Sequence, residues 1–450
     1  MQSERLPRTV GLFSAIAVIV GTTIGSGIFR VPATVAGRLG EPGPMMLAWV
    51  LGGALALFGA LTLAELAAMS PRSGGIFAYL EEAFGPVPAF LFGWSQLSVI
   101  RASALGGIST IFAEYLGYFV PLGGRFTVPV LGWELGGVNL AAAATILVVA
   151  LINYLGVKYA ARVMGVATIA KYAGMVGLVL LAFAVGEGSW GNFTDSGRTA
   201  FSISMVASAL VSIMWAYDGW ADLSFIGGEI KNPGKNFPLA LIIGTILIIF
   251  IYLLLNAAYI YLVPVPEMAG QRLIAATAAE RIPLLGGAGA AVVSAIVMIS
   301  CFGTLNGSML TNPRIFFAMA DRGLFFKGVA RVSPKFQTPS VAIWLAAALG
   351  CGYVLFNDFQ QLADRFVLGI WPFYIMAILG VFVLRRKAPD AVRPYRTIGY
   401  PVVPIVFLLA AVGMVINALI TDPVNTGVTF GILLAGLPLY YLTIGRRRAG

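Results

Sequence analysis

Histidine is missing from this 450-residue chain, cysteine occurs twice, and only 11% of the residues are charged. Without histidine there is no H-E-x-x-H metal motif and no imidazole base, and no paired thiolates stand at ligand spacing. Zinc proteolysis and histidine-based acyl transfer are therefore disfavoured, and neither a metal nor a cofactor is expected. Acidic residues are also scarce, 19 against 29 basic ones, for a net charge of +10. In a soluble protein that excess would suggest nucleic acid. Here 59% of the residues are hydrophobic and the mean hydropathy is +0.90, so the solvent is lipid and no nucleic-acid partner is expected.

Apolar runs of about 18 to 25 residues recur along the chain, each long enough to cross a hydrocarbon core of about 30 Å as a helix. Twelve are placed, at 10–37, 42–69, 84–114, 137–155, 160–186, 202–227, 238–262, 286–312, 338–356, 364–384, 400–420 and 426–445. The runs do not alternate as barrel strands do, and short connections leave no room for an inserted soluble domain. The first run begins near Val10 and outlasts a signal h-region, so no removable leader is expected. Cys301 and Cys351 fall inside spans and read as small packing residues.

With the N-terminus inside, 20 basic residues face the cytoplasm: Arg5, Arg8, Arg72, Lys158, Arg162, Lys231, Lys235, Arg314, Arg322, Lys327, Arg331, Lys335, Arg385, Arg386, Lys387, Arg393, Arg396 and Arg446–Arg448. Six face outward: Arg38, Arg125, Arg198, Arg272, Arg281 and Arg365. Both termini are therefore expected in the cytoplasm, and the membrane is a plasma membrane or a bacterial inner membrane. Arg30, Arg101 and Lys171 remain near or within the bilayer, with Glu65, Asp218 and Asp222. Ionisable groups at that depth face a polar cavity, pair with each other or snorkel.

Two spans are interrupted. The first carries Gly21-Thr22-Thr23-Ile24-Gly25-Ser26-Gly27 and the sixth Trp215-Ala216-Tyr217-Asp218-Gly219-Trp220-Ala221-Asp222. Glycine relaxes the helix, and Ser, Thr and Asp satisfy backbone groups that a break frees. Such a break survives only where protein or a watery cavity surrounds it. The interruptions lie five spans apart, so inverted five-helix repeats would bring them together near the midplane. Free amides after Gly27 would then attract an anion and free carbonyls in the sixth span a cation, which suits a zwitterion. The alternative is that Gly25-Ser26-Gly27 only permits close helix packing.

Gly21-Thr22-Thr23-Ile24-Gly25-Ser26-Gly27-Ile28-Phe29 resembles the first-helix signature of the amino acid-polyamine-organocation (APC) superfamily of transporters. Ala64-Glu65-Leu66, Pro71-Arg72-Ser73-Gly74-Gly75, Phe84-Gly85-Pro86, Ile100-Arg101-Ala102, Ala216-Tyr217, Gly219-Trp220 and Glu229-Ile230-Lys231-Asn232-Pro233 resemble its L-type amino acid transporter (LAT) branch. So does Ser300-Cys301-Phe302-Gly303-Thr304-Leu305-Asn306-Gly307-Ser308, continuing to Arg314-Ile315-Phe316-Phe317. The likeness is strong over residues 10 to 335 and topological beyond. It implies an all-α integral membrane protein of twelve helices: one five-helix repeat (10–186), a second inverted repeat (202–384), discontinuous helices 1 and 6, and helices 11 and 12 (400–445). It also implies amino acid transport without sodium.

The resemblance assigns the substrate carboxylate to backbone groups of Ile24, Gly25, Ser26, Gly27 and Ile28, and the ammonium to carbonyls near Ala216, Tyr217 and Gly219. Trp215 or Trp220 would line or gate the side-chain pocket. Asp218 and Asp222 depart from the branch and admit a polar or basic substrate; each either caps the second half-helix or meets a cation or proton. Lys171 is a fixed charge in the place of a sodium ion or a proton carrier, and the resemblance implies contact with the first helix. Arg101 is expected to pair with Glu65 or Glu114. Arg30 is expected to snorkel outward or to stand in an outer vestibule. Asn306 is expected to bridge helices, or else to meet substrate or helix one. Phe316, Phe317, Phe325 and Phe326 read as an interfacial belt or loop.

The expected protein is an alternating-access carrier, an exchanger or proton symporter, with neutral L-amino acids ahead of cationic ones or polyamines. A receptor or channel on the same fold is the rival class, though no repeated selectivity ring is visible. The expected partners are the amino acid, lipid and, as a candidate, protons. No accessory subunit is expected, because neither cysteine lies in an outer loop.

Overall fold

Four of the long helices open on a proline in their first turn, at Pro42, Pro86, Pro233 and Pro423. Proline suits that position because its fixed φ is already helical and its missing N–H would have had no partner. Elsewhere side chains start the helix: Ser202 accepts from the Met205 N–H, and Asp358 with Gln361 forms a capping box. The computed structural model describes residues 8–442 except 72–73, 129–132, 195–201 and 322–326. Arg5, Arg72, Ser73, Arg198, Arg322, Phe325, Phe326 and Arg446–Arg448 lie outside the described residues, as do the side chains of Arg125, Lys158, Arg162, Arg314, Phe317 and Lys327.

The principal helices are α1 (Leu12–Thr23), α2 (Val31–Leu39), α3 (Pro42–Met69), α4 (Ile76–Phe84), α5 (Pro86–Leu116), α6 (Gly137–Leu155) and α7 (Val157–Val185). They continue with α8 (Ile203–Tyr217), α9 (Pro233–Leu262), α10 (Gly289–Asp321), α11 (Ser340–Phe356), α12 (Phe359–Lys387), α13 (Val402–Thr421) and α14 (Pro423–Tyr440). Among the described residues nine helices are long and apolar enough to cross a membrane, and Leu12–Thr23 and Ser340–Phe356 are shorter apolar ones. Leu180, Phe250, Leu409 and Ile420 are exposed on the outside of the bundle, the inverse of a soluble surface. The buried core runs between the helices, where α3 packs along α9, and α10 along α7 and α5.

Some expectations need correction. A two-stranded antiparallel hairpin, Arg125–Val128 with Trp133–Gly136, interrupts the otherwise helical chain between α5 and α6. The link from α9 to α10 is not a short loop: it holds two small helices, Val265–Met268, which buries Val265 and Met268, and Ile274–Glu280, which buries its alanines. Helix α10 runs past the expected end at 312 through Pro313 to Asp321, so Phe316 is 1% exposed in helix packing and belongs to no loop or belt.

Candidate functional site

The helix that begins at Leu12 stops at Thr23. Ile24 is extended (φ −73, ψ 98), its N–H closes back on Val20, and a single 3₁₀ turn at Gly27–Phe29 leads into α2. The Ser26, Gly27 and Ile28 amides find no backbone acceptor among the described residues. In α8 the chain leaves the helix after Tyr217: Asp218 is extended (φ −65, ψ 152) and Gly219 takes φ +117 before a 3₁₀ segment, Trp220–Glu229. A positive φ of that size is glycine territory.

These two interruptions touch. A Cβ on Gly27 would stand 2.8 Å from Ala216 Cα, and one on Gly219 would stand 2.8 Å from Thr23 Cα, so each glycine admits the other break. Thr22 Oγ1, which bonds back to Val18 O at 2.9 Å, also lies 3.3 Å from the Gly219 carbonyl. The Tyr252 hydroxyl of α9, fully buried, lies 3.1 Å from Thr23 O and 2.9 Å from Ala216 O and serves both breaks with one proton. Sequence reading missed Tyr252, since a tyrosine in an apolar helix carries no local mark of its partner.

Between the breaks lies a cavity of about 80 Å³. Its wall includes Thr22, Thr23, Gly25, Ser26 and Gly27 from the first break and Trp215, Asp218, Gly219 and Asp222 from the second. Arg101, Ala104 and Ile108 of α5, Thr304 and Ser308 of α10, and Phe366 of α12 complete it. A π-helical turn at Gln96–Ile100 immediately precedes Arg101 and re-aims the α5 side chains, as such bulges do near functional sites.

Several expected contacts are redirected. Ile24, Ile28, Ala216 and Tyr217 do not line the cavity: the Ile24 carbonyl accepts from Lys171, the Ala216 carbonyl from Tyr252, and the Tyr217 hydroxyl donates to Trp49 O at 3.2 Å. Trp220 is buried against Tyr374, ring centroids 5.0 Å apart, and lines no part of the cavity, which leaves Trp215 as its tryptophan. Trp215 packs edge-on to Phe359 and Phe366 and closes one side.

The buried charges are paired differently from expectation. Arg101 meets neither Glu65 nor Glu114; Nη2 lies 3.6 Å from Asp222 Oδ1 and Nε donates to Gln96 Oε1 at 2.8 Å. Arg30 does not snorkel. It donates to Glu114 at 3.0 Å and lies over the Phe359 ring, just after the 3₁₀ turn at Gly27–Phe29. Neither aspartate caps through an N-cap position, which Gly219 occupies; Asp218 instead accepts from the Tyr374 hydroxyl at 2.7 Å.

Lys171, 4% exposed, sits behind the first break, its Nζ donating to Gly21 O at 3.1 Å and Ile24 O at 2.5 Å. Asn306 is fully buried, accepts from Asn153 Nδ2 at 2.9 Å and bridges two helices as expected, and it is not among the residues that line the central cavity. Thr304 and Ser308, on either side of it, are the α10 residues that do.

A family model described as amino acid permease matches residues 10–444. The chain belongs to the amino acid permease family. This permease is 33% identical to the serine/threonine exchanger SteT of Bacillus subtilis over 444 residues, 98% of each chain. It is 33% identical to the b(0,+)-type amino acid transporter 1 of Mus musculus over 448 residues, covering 99% of this chain and 89% of the relative. It is 30% identical to the large neutral amino acids transporter small subunit 2 of Homo sapiens over 446 residues, 98% and 81% respectively. The permease therefore stands in the APC superfamily beside LAT-type transporters, as a membrane transporter and not an enzyme. One relative is named a small subunit, so the expectation that no accessory chain is used is withdrawn.

Proposed function

We propose that this permease carries neutral L-amino acids across the membrane by alternating access, without sodium, as an exchanger or a proton-coupled carrier. The observation that carries the reading is the contact of two unwound segments around a small cavity, one of them with amides at Ser26 and Gly27 that have no backbone acceptor among the described residues. Amides of that kind favour a carboxylate, and the helix end after Tyr217 favours an ammonium.

Independence of sodium is supported by Lys171, whose ammonium already satisfies the Gly21 and Ile24 carbonyls that a metal cation would need. The relatives named for serine and threonine exchange and for large neutral amino acids support the neutral class. Transport runs in this reading through twelve spans in two inverted repeats, 10–186 and 202–384, with both termini cytoplasmic in a plasma or bacterial inner membrane. The broken helices tilt against the remaining scaffold.

A second reading, a cationic amino acid or polyamine as substrate, is favoured by Asp218 and Asp222 at the cavity. Arg101 lies beside Asp222 and offsets part of that negative charge, which places the cationic class second. The test is counterflow of tritiated L-threonine into proteoliposomes, with all common amino acids as competitors, at two pH values and with or without sodium. Strong competition by small neutral amino acids, unchanged by sodium, is the expected result. Flux that requires sodium, or competition by lysine and arginine alone, would overturn it.

A further inference from the structure

A second, larger cavity of about 590 Å³ lies one helical turn beyond the central one. Val211 lines it where Trp215 lines the first, and the two cavities share no residue. Its walls come from the end of α2, the start of α8 and α12, the end of α13 and the start of α14. The volume falls in the range of about 300–1,000 Å³ typical of small-molecule sites.

Its charges are of both signs. Arg38, Arg365, Asp358, Asp364 and Asp422 all line it. Arg38 is engaged by the protein: it donates to Ser208 O and to Ser212 Oγ at 3.0 Å and lies 3.9 Å from Asp364. Asp364 in turn accepts from Gln360 Nε2 at 2.7 Å.

Arg365 is different. Its Nη2 has one weak acceptor, Asn425 Oδ1 at 3.3 Å, its Nε is buried without an acceptor, and it pairs with no carboxylate among the described residues. Arg365 itself is half-buried, and a guanidinium whose Nε is shut away from water without an acceptor gains most from an anion that completes it. On the same cavity Asp358 caps its helix, accepting the Gln361 N–H at Oδ1, and Asp422 accepts the Asn425 N–H at Oδ1 and Asn425 Nδ2 at Oδ2, so the amide that bonds Arg365 also bonds Asp422. One arginine in need of a carboxylate, facing carboxylates that exceed the remaining basic groups, matches a solute carrying both signs.

We propose that this cavity is a second binding site for a zwitterionic amino acid, its carboxylate on Arg365 and its ammonium toward Asp358 and Asp422. The inference rests on the reading of the permease as an amino acid carrier. Because Arg38 and the first turns of α8 form one wall while α13 and α14 form another, occupancy ties a broken helix to the scaffold and stages a solute beside the Trp215 closure.

The test is the stoichiometry of saturable tritiated L-threonine binding to the full-length permease in nanodiscs, repeated with each other common L-amino acid where threonine does not bind. Wild type is expected to bind two equivalents per chain. Arg365→Gln should bind one, and so should Thr421→Trp, which plugs the exposed mouth from the α13 side without entering the core. Ala104→Phe, which fills the central cavity, should bind one, and its combination with Arg365→Gln none. Two equivalents retained in both Arg365→Gln and Thr421→Trp would overturn the second site. One equivalent in wild type, lost in Ala104→Phe and kept in Arg365→Gln, would reduce this cavity to a watery vestibule while leaving the carrier reading intact. No binding of any amino acid by wild type would overturn both.

Discussion

Two ionic clusters sit in the same bundle, one buried and one open to the central cavity, and are built in opposite ways. At the first, Glu65 is saturated: Arg385 donates to it through Nε at 2.8 Å and Nη2 at 2.6 Å, and Thr397 through N–H and hydroxyl, both at 2.7 Å. Arg393 stands 3.6 Å away, with its other nitrogens on the carbonyls of Leu384, Ala388, Pro389 and Ala391. At the second, beside the central cavity, Asp222 and Arg101 are 3.6 Å apart, and Asp218 accepts from the Tyr374 hydroxyl and the Gly219 N–H. A saturated cluster fastens α3 to α12 and the strand of chain after it. An unsaturated one keeps capacity for a solute, and lies where the cavity is.

The largest effect should come from the saturated cluster. Glu65→Ala leaves two arginines without their anion, a loss of about 3–5 kcal/mol for a broken buried pair. Thermal unfolding in nanodiscs should show it as a large fall in midpoint, while the fraction that folds keeps its KM. Lys171→Met strands the Gly21 and Ile24 carbonyls; at about 1.5–3 kcal/mol for a hydrogen bond to a charged group, uptake should fall roughly 10- to 100-fold. Normal uptake by that variant would remove the lysine from the mechanism.

Asp222→Asn, in the unsaturated cluster, should raise KM about tenfold and shift the unfolding midpoint little. Should it unfold the protein as Glu65→Ala does, the contrast between the clusters is wrong. Tyr374→Phe removes one donor from Asp218 and should raise KM about fivefold, the size of a hydrogen bond of about 1 kcal/mol. The smallest effect belongs to Arg272→Ala, because that side chain is 68% exposed and 3.9 Å from Glu114. Exposed pairs contribute below about 1 kcal/mol, and neither uptake nor stability should change measurably.

The two breaks were legible because their signal is local. Gly25, Ser26, Gly27 and Gly219 interrupt apolar runs, and the cost of freed backbone in lipid makes any interruption informative. The ion pairs were not legible. Arg101 was expected on Glu65 or Glu114 and found Asp222, since the partner depends on how α5 is rotated, and a π turn that leaves no sequence mark sets that rotation. Tyr252 and Tyr374 were missed for the same reason: each matters through where its helix lies, not through its neighbours in the chain, and Thr304 and Ser308, though inside a quoted motif, were given no role of their own.

Composition and hydrophobic run length by themselves determined that this is a helical membrane protein, because lipid forces every backbone group to be satisfied within its own segment. The glycine motifs determined where that rule is broken. Which helix faces which, which carboxylate meets which arginine, and that Ala216 turns to Tyr252 while Ser26 and Gly27 stay open, only the tertiary structure decided. Those outcomes depend on contacts between residues far apart in the chain, and a one-dimensional pattern holds no information about distance across a bundle.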